Sequence, residues 1–303
     1  VDQDTHFSAL CNVGDKDTAG YETTDSAIVG GTTTIIDFAP QDPDTGLLDS
    51  IDYRINVRAK GKSCVDYALH AMVTYLTDDI FDEIYKFPEK GISSIKIFMA
   101  YNGSPLHVDD GSYYRILERA GEVGATVFVH AENGEILDFL RRECIKKGQT
   151  APKYHYISRP PFTEAEGVRR AAYLAGKVGT PVYIAHVTCR EALKELIEAR
   201  GNGVNINGET CTHYLTITKD VLDNPDFNEA SKYVCSPALR DQEDIDALWD
   251  ALNRGILTAV SSDHCGIDVA ELKQAGRDDF TQIPNGSPGA GDRFSMIWTY
   301  GVE

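Results

Sequence analysis

Apolar, β-branched runs recur along this chain, and several end abruptly in a charged or metal-binding side chain. TVFVHAEN begins at Thr126, PVYIAHVTC at Pro181, SIKIFMAY at Ser94 and ILTAVSSDHC at Ile256. Two further runs of this kind are TTTIIDF (32–38) and VDYALHAMVTY (65–75). Between them lie stretches with apolar residues at helical spacing, among them DDIFDEIYKF, YYRILERAGEVG, TEAEGVRRAAYLAGKVG, REALKELIEARGNG and EDIDALWDALNRG. GEILDFLRRECIKKG is another, and it closes on a glycine suited to a helix C-cap. Repeated strand–helix units imply parallel strands joined by crossover helices. Strands that are near-continuously apolar, rather than alternating, imply a sheet covered on both faces.

With a strand counted at the very start, the pattern gives about eight units. That predicts an α/β chain folded as a (β/α)8 TIM barrel, a fold of ~250 residues that 303 residues can hold. A doubly wound open sheet would favour a glycine-rich phosphate turn after its first strand. Neither GxGxxG nor GxxxxGK[ST] occurs. No linker or low-complexity tract interrupts the pattern, so one barrel domain spanning 1–303 is expected. The formal net charge of −18 argues against nucleic acid or an anionic membrane surface as partner. No apolar run reaches the ~18 residues of a membrane span. The seven cysteines are odd in number and scattered without a CxxC pair, which suits a reducing, cytoplasmic setting better than a disulfide framework. The chain opens on VDQDTHF without a signal peptide or initiator methionine, which reads as a barrel portion of a longer protein.

In such barrels the C-terminal ends of the strands converge on one face, so residues far apart in sequence can share a site. The candidate ligands are Asp4 and His6 on the first strand, Lys96, His130, His186 and Asp263. Asp4 and His6 are two apart, so on a strand both project to the same side. Any one of them alone would be an ordinary structural residue; their joint occurrence at successive strand ends points to a metal centre. Imidazole and carboxylate ligands suit zinc, manganese or iron.

VDQDTHF, GGTTTIIDFA, SIKIFMAY, VHAENGE, YHYISRPP, AHVTC, GETCTHYL, KYVCSPALR, SSDHC and IPNGSPGAGDR together closely resemble the hydantoinase and dihydropyrimidinase branch of the amidohydrolase superfamily, in order along nearly the whole chain. The resemblance implies a TIM barrel whose flanking β-sandwich, built in this family from the two ends of the chain, is absent here. It implies two divalent metal ions, zinc first with manganese or iron as alternatives. The bridge between them would be N6-carboxylated Lys96, since an amine held neutral by burial can add carbon dioxide. His130 and His186 resemble the ligands of the second metal, His6 a ligand of the first, and Asp263 the residue that both ligates and shuttles the proton. Tyr101 resembles the group that hydrogen-bonds the developing oxyanion. Ser236 and Asn285 match positions that hold the amide edge of the substrate. The implied enzyme is a cytoplasmic homo-oligomer, dimer or tetramer, that opens the ring of a small cyclic amide or imide by attack of a metal-bridging hydroxide.

The chain departs from the family where Asp4 stands in place of the first histidine of His-x-His. The added negative charge should favour manganese or iron over zinc. Phe7-Ser8 replaces the Leu-Arg with which dihydroorotases grip a carboxylate. The loops Ser8–Tyr21 and Asn102–Asp110 resemble substrate-gating loops in position, and NGSPGAG (285–291) reads as a loop shaping the pocket. His70, His107, His155 and His213 read as structural, with His264 the nearest to an exception. Two other functions fit parts of the pattern. GETCTHYL leans toward allantoinase, which hydrolyses a ureide ring. The collapsin response mediators share the fold as non-catalytic assembly proteins but lack the ligands that are present here.

Overall fold

The computed structural model describes residues 1–8, 20–42 and 44–303. Its sheet is built from β1 (Asp2–His6), β2 (Thr34–Pro40), β3 (Asp66–Met72), β4 (Ser94–Phe98), β5 (Thr126–His130), β6 (Val182–Ile184), β7 (Ile206–Cys211), β8 (Ala259–Ser261) and β9 (His264–Cys265). All neighbours pair in parallel, in sequence order from β1 to β8. β9 then pairs with β1, so the run 259–265 bonds β7 through its first half and β1 through its second. These two short strands are one interrupted eighth stave, and the sheet closes as a (β/α)8 barrel. The sequence predicts a single strand through ILTAVSSDHC; the break comes at Ser262-Asp263, where Asp263 takes a left-handed φ of 45°.

Parity along the staves sorts the side chains. On β4 and β5, Ile95, Ile97, Val127 and Val129 face outward into the large core shared with the helices. Phe98 and Phe128, with Phe38 and Met72 from β2 and β3, form a separate cluster inside the barrel. Lys96 is in register with Phe128, and Phe98 with His130, so the polar residues share the inward parity of these rings. Each stave is apolar on both faces because one face meets helices and the other fills the barrel. Among the described residues, no helix is long and apolar enough to cross a membrane.

The outer helices fix the strand ends at close range. Helix Pro161–Val178 starts with proline at its first turn, where no backbone donor is lost, and ends on left-handed Gly179. Its Gly167 presses on the turn after β5: a Cβ there would lie 2.5 Å from the Ala131 carbonyl carbon and 2.8 Å from the Glu132 nitrogen. No side chain fits without moving the segment that carries His130. Gly167→Ala should therefore cost about 1–3 kcal/mol of stability through overpacking. Urea unfolding checks this, with an unchanged midpoint as the contrary result.

Candidate metal centre and substrate pocket

β1 delivers Asp4 and His6 to the mouth of the barrel, as their spacing predicts, and the interrupted eighth stave delivers Asp263. His6 Nε2 lies 3.3 Å from Asp263 Oδ1 and 3.7 Å from Asp4 Oδ1. One ligand atom from each of the three lies within 4.8 Å of the others, a spacing that can hold a metal ion. On the opposite wall, His130 Nδ1 and His186 Nε2 are 3.0 Å apart. Lys96, 1% exposed, sits deeper, with Nζ at 4.7, 5.1 and 4.6 Å from the ring centroids of Phe38, Phe98 and Phe128. Phe38 stacks near His6 at 4.5 Å and Phe98 near His130 at 5.3 Å, which sets the lysine between the two ligand groups.

Whether these residues suit cations can be judged from the polar atoms left over. Both Asp4 carboxylate oxygens and His186 Nδ1 are buried and lack a hydrogen-bond partner among the described residues. Buried polar groups are ordinarily paired, so orphaned oxygens beside two further ligand side chains fit a bound cation. The charges agree. Burial pushes the Asp263 carboxyl up to about 7, with Asp2 adding to the rise and Lys96 opposing it. Burial, more than the nearby Asp263, also raises Asp4, and burial lowers His6, His130 and His186 so that all three imidazoles are held neutral. Neutral imidazoles and carboxylates are the forms that ligate divalent metals.

The pocket over these ligands has a volume of about 330 Å³. Tyr101 lines it at φ 66°, and among the described residues His186 (φ 33°) and Asp263 are the other non-glycine residues in left-handed backbone. Each such residue costs of order 1–3 kcal/mol, and such strain collects at functional sites. Ser236 and Asn285 line the same pocket and face the Tyr101 hydroxyl. Ser236 Oγ is buried without a hydrogen-bond partner among the described residues. Pro105 and Leu106 bring the 102–110 loop to the rim, and Gly286 does so for the 285–291 loop. Residues 9–19 of the predicted gating loop Ser8–Tyr21 lie outside the described residues.

Two of the remaining histidines, His70 and His264, brace neighbouring segments. His70 bonds Ser94 Oγ and the Gln3 carbonyl, at 2.5 and 2.9 Å. His264 Nδ1 accepts from the Gly289 and Ala290 nitrogens, pinning the glycine-rich loop. Three buried residues at or under the ligands escaped the sequence reading. Glu132 Oε2 accepts from His130 Nε2 at 2.8 Å and from Arg159 Nη1 at 2.5 Å. Burial works against the Glu132 charge, but Arg159 and His130 outweigh it and hold the carboxyl well below the usual range. Glu209 faces Asp4 from below, and burial first and then Asp4 push its carboxyl well up. The available signal was weak: a charged residue within VHAENGE, ISRPP or GETC looks like ordinary loop polarity.

A closed barrel that brings Asp4, His6 and Asp263 to face His130 and His186 at its C-terminal mouth defines the class: a barrel whose donor set fits a metal-centred site. The comparisons narrow it. No protein-family model matches the sequence. The chain is 44% identical over 299 residues to a D-hydantoinase of Ralstonia pickettii, covering 98% of this chain and 65% of that one. It is 39% identical over 279 residues to a dihydropyrimidinase of Arabidopsis thaliana, covering 92% and 52%. Among solved structures, a D-hydantoinase superposes with a TM-score of 0.94 at 43% identity over 98% of this chain and 65% of that one. The dihydropyrimidinase of Brevibacillus agri does so at 0.92 and 40%, over 98% and 64%. Over nearly its whole length the chain is similar to the hydantoinase and dihydropyrimidinase branch of the amidohydrolases, a metal-dependent family. It spans 59% to 65% of the length of the curated D-hydantoinases it matches.

One consequence concerns acid stability. His155 is 4% exposed, and its Nε2 donates to the Cys235 carbonyl at 2.7 Å, just before Ser236. Burial, with Arg159 nearby, holds its pKa well below the ordinary 6.5, so it is neutral in the fold. Unfolding below pH 6.5 then takes up a proton, and stability falls as pH falls. His155→Gln has no such proton. The stability advantage of the native chain over this variant should shrink by roughly 1.4 kcal/mol between pH 7.5 and 5.5. Urea titrations at both pH values measure it; a constant gap contradicts the assignment.

Proposed function

We propose that this chain is the catalytic barrel of a cyclic amidohydrolase that opens the ring of a hydantoin- or dihydropyrimidine-type amide. The observation that carries the reading is the facing of Asp4, His6 and Asp263 by His130 and His186 across buried Lys96. The names of the matched relatives support the same substrate class. Asp4, His6 and Asp263 would hold one cation, His130 and His186 a second, and Lys96, N6-carboxylated, would contribute to both. When bound, the cations would supply Lewis acidity and a nucleophile made from water at neutral pH. Zinc is the first candidate; the extra carboxylate at Asp4 supports manganese or iron as alternatives.

The protein groups then divide the remaining work. Asp263 would take a proton and return it to the departing ring nitrogen; with a cation bound, this carboxyl would be lowered from its position near neutrality and kept a base. The Tyr101 hydroxyl is held protonated, chiefly by burial, and donates to the carbonyl oxygen as charge develops there. Ser236 and Asn285 grip the amide edge. The pocket walls at Phe98, Leu106 and Ile267 exclude water around the ring. The barrel, residues 1–303, would be one domain of a longer, cytoplasmic homo-oligomer carrying a flanking β-sandwich. The cysteines support a reducing compartment: Cys64, Cys144, Cys189, Cys211 and Cys235 form no disulfide among the described residues.

Lys96→Ala should abolish activity and lower bound metal from about two ions per chain, with partial recovery by short carboxylic acids that replace the carbamate. Retained full activity sinks the Lys96 assignment. Asp4→His should raise affinity at the first site and shift preference toward zinc, read by competitive metal titration. A screen of hydantoin, dihydrouracil and allantoin identifies the ring; turnover of allantoin alone would transfer the reading to the ureide hydrolases.

A further inference from the structure

We propose that Glu132 is a positioning residue: clamped by Arg159, it fixes His130 in the tautomer that turns Nδ1 toward the second cation. This rests on the ring-opening reading above, through its pairing of His130 with His186.

Glu132 is fully buried two residues after His130. A carboxylate only accepts hydrogen bonds, so the 2.8 Å contact between Glu132 Oε2 and His130 Nε2 keeps the ring proton on Nε2. The lone pair is then left on Nδ1, the atom 3.0 Å from His186 Nε2. Two imidazole nitrogens each about 2.0–2.1 Å from one zinc ion sit about 3 Å apart, so this spacing suits a shared ion. Ligating histidines commonly give their second N–H to a carboxylate, which fixes ring and tautomer.

The clamp is more than a core ion pair. Glu132 Oε2 receives both His130 and Arg159, while Oε1 is buried without a partner among the described residues. Arginine–carboxylate pairs are frequently forked over both oxygens; here Arg159 and His130 share one. Arg159 also lies over the Tyr101 ring at 6.0 Å, beside the pocket. Arg240 donates to the Arg159 carbonyl, to Glu164 Oε2 at 3.0 Å and to Thr188 Oγ1 at 2.9 Å. Thr188, two residues after His186, also donates its backbone nitrogen to Glu164 Oε1 at 2.8 Å. One buried network therefore grips the chain behind both imidazoles.

The test is stepwise titration of the metal-depleted chain with zinc, together with the ring 15N shifts of His130 before metal is added. The native chain should show the Nε2–H tautomer and two binding steps. In Glu132→Gln the amide can also donate to Nε2, so the tautomers should mix. The second-step affinity should fall about 10–100-fold while the first stays within about twofold. Arg159→Met leaves the Glu132–His130 contact without its clamp and should weaken the same step, which serves if Glu132→Gln does not fold. An unchanged second step, or equal weakening of both steps, overturns the inference. His130→Asn separates the two claims. If it still binds two ions, the metal-centre reading fails. If it loses one ion while Glu132→Gln binds both at native affinity, only the role of Glu132 fails.

Discussion

Lys96 presents a constraint that the rest of the mouth must answer. Its amine is enclosed by three aromatic rings, at 4.6 to 5.1 Å from their centroids. Removing an ammonium from water costs several kcal/mol, and ring faces return only about 2 kcal/mol or somewhat more when desolvated. The balance must come from the carboxylates above it, Asp4 and Asp263, or from a change in the amine itself. The Coulombic pull of Lys96 on both aspartates is felt in their titration, which ties the interior of the barrel to its rim.

The acids of the barrel carry the opposite problem. Asp2, Asp4, Asp37, Glu209 and Asp263 are all buried, and burial raises each carboxyl above its ordinary range. So many acids in one barrel are costly as ions and poor ligands as acids. Divalent cations held at Asp4 and Asp263 would ease this, because they reward ionisation where water cannot. A carboxylated lysine would fit the same logic from below: an anion where the cations would meet, in place of an ammonium that would repel them.

Residues whose position follows from strand geometry were legible. Lys96 and His130 share the parity of inward-facing Phe98 and Phe128, which turns them inward; His186 lies just past β6, on the parity of outward-facing Val182 and Ile184, in left-handed backbone. The alternation of strands and helices gave the barrel for the same reason. What sequence could not show was backbone of unusual hand. ILTAVSSDHC reads as one strand because nothing in Ser-Ser-Asp announces the left-handed φ at Asp263 that splits it. Glu132, Arg159 and Glu209 were passed over for a different reason. Their burial depends on partners 27 to 206 residues away, such as Arg159 for Glu132 and Gln3 for Glu209, and no local pattern encodes that. Composition near a loop predicts solvent; tertiary pairing overrode it.

The split eighth stave also bears on how the molecule reaches its final state. Its two halves bond different neighbours, and Asp263, at the break, meets His6 across nearly the full length of the sequence. Contacts of such separation are the most expensive in chain entropy and tend to come late. The acidic cluster at the first and last staves is therefore assembled by the same event that seals the cylinder. With the site reading proposed above, an unsealed intermediate would have nowhere to collect an ion, and an ion, once collected, would work as a latch on the seam.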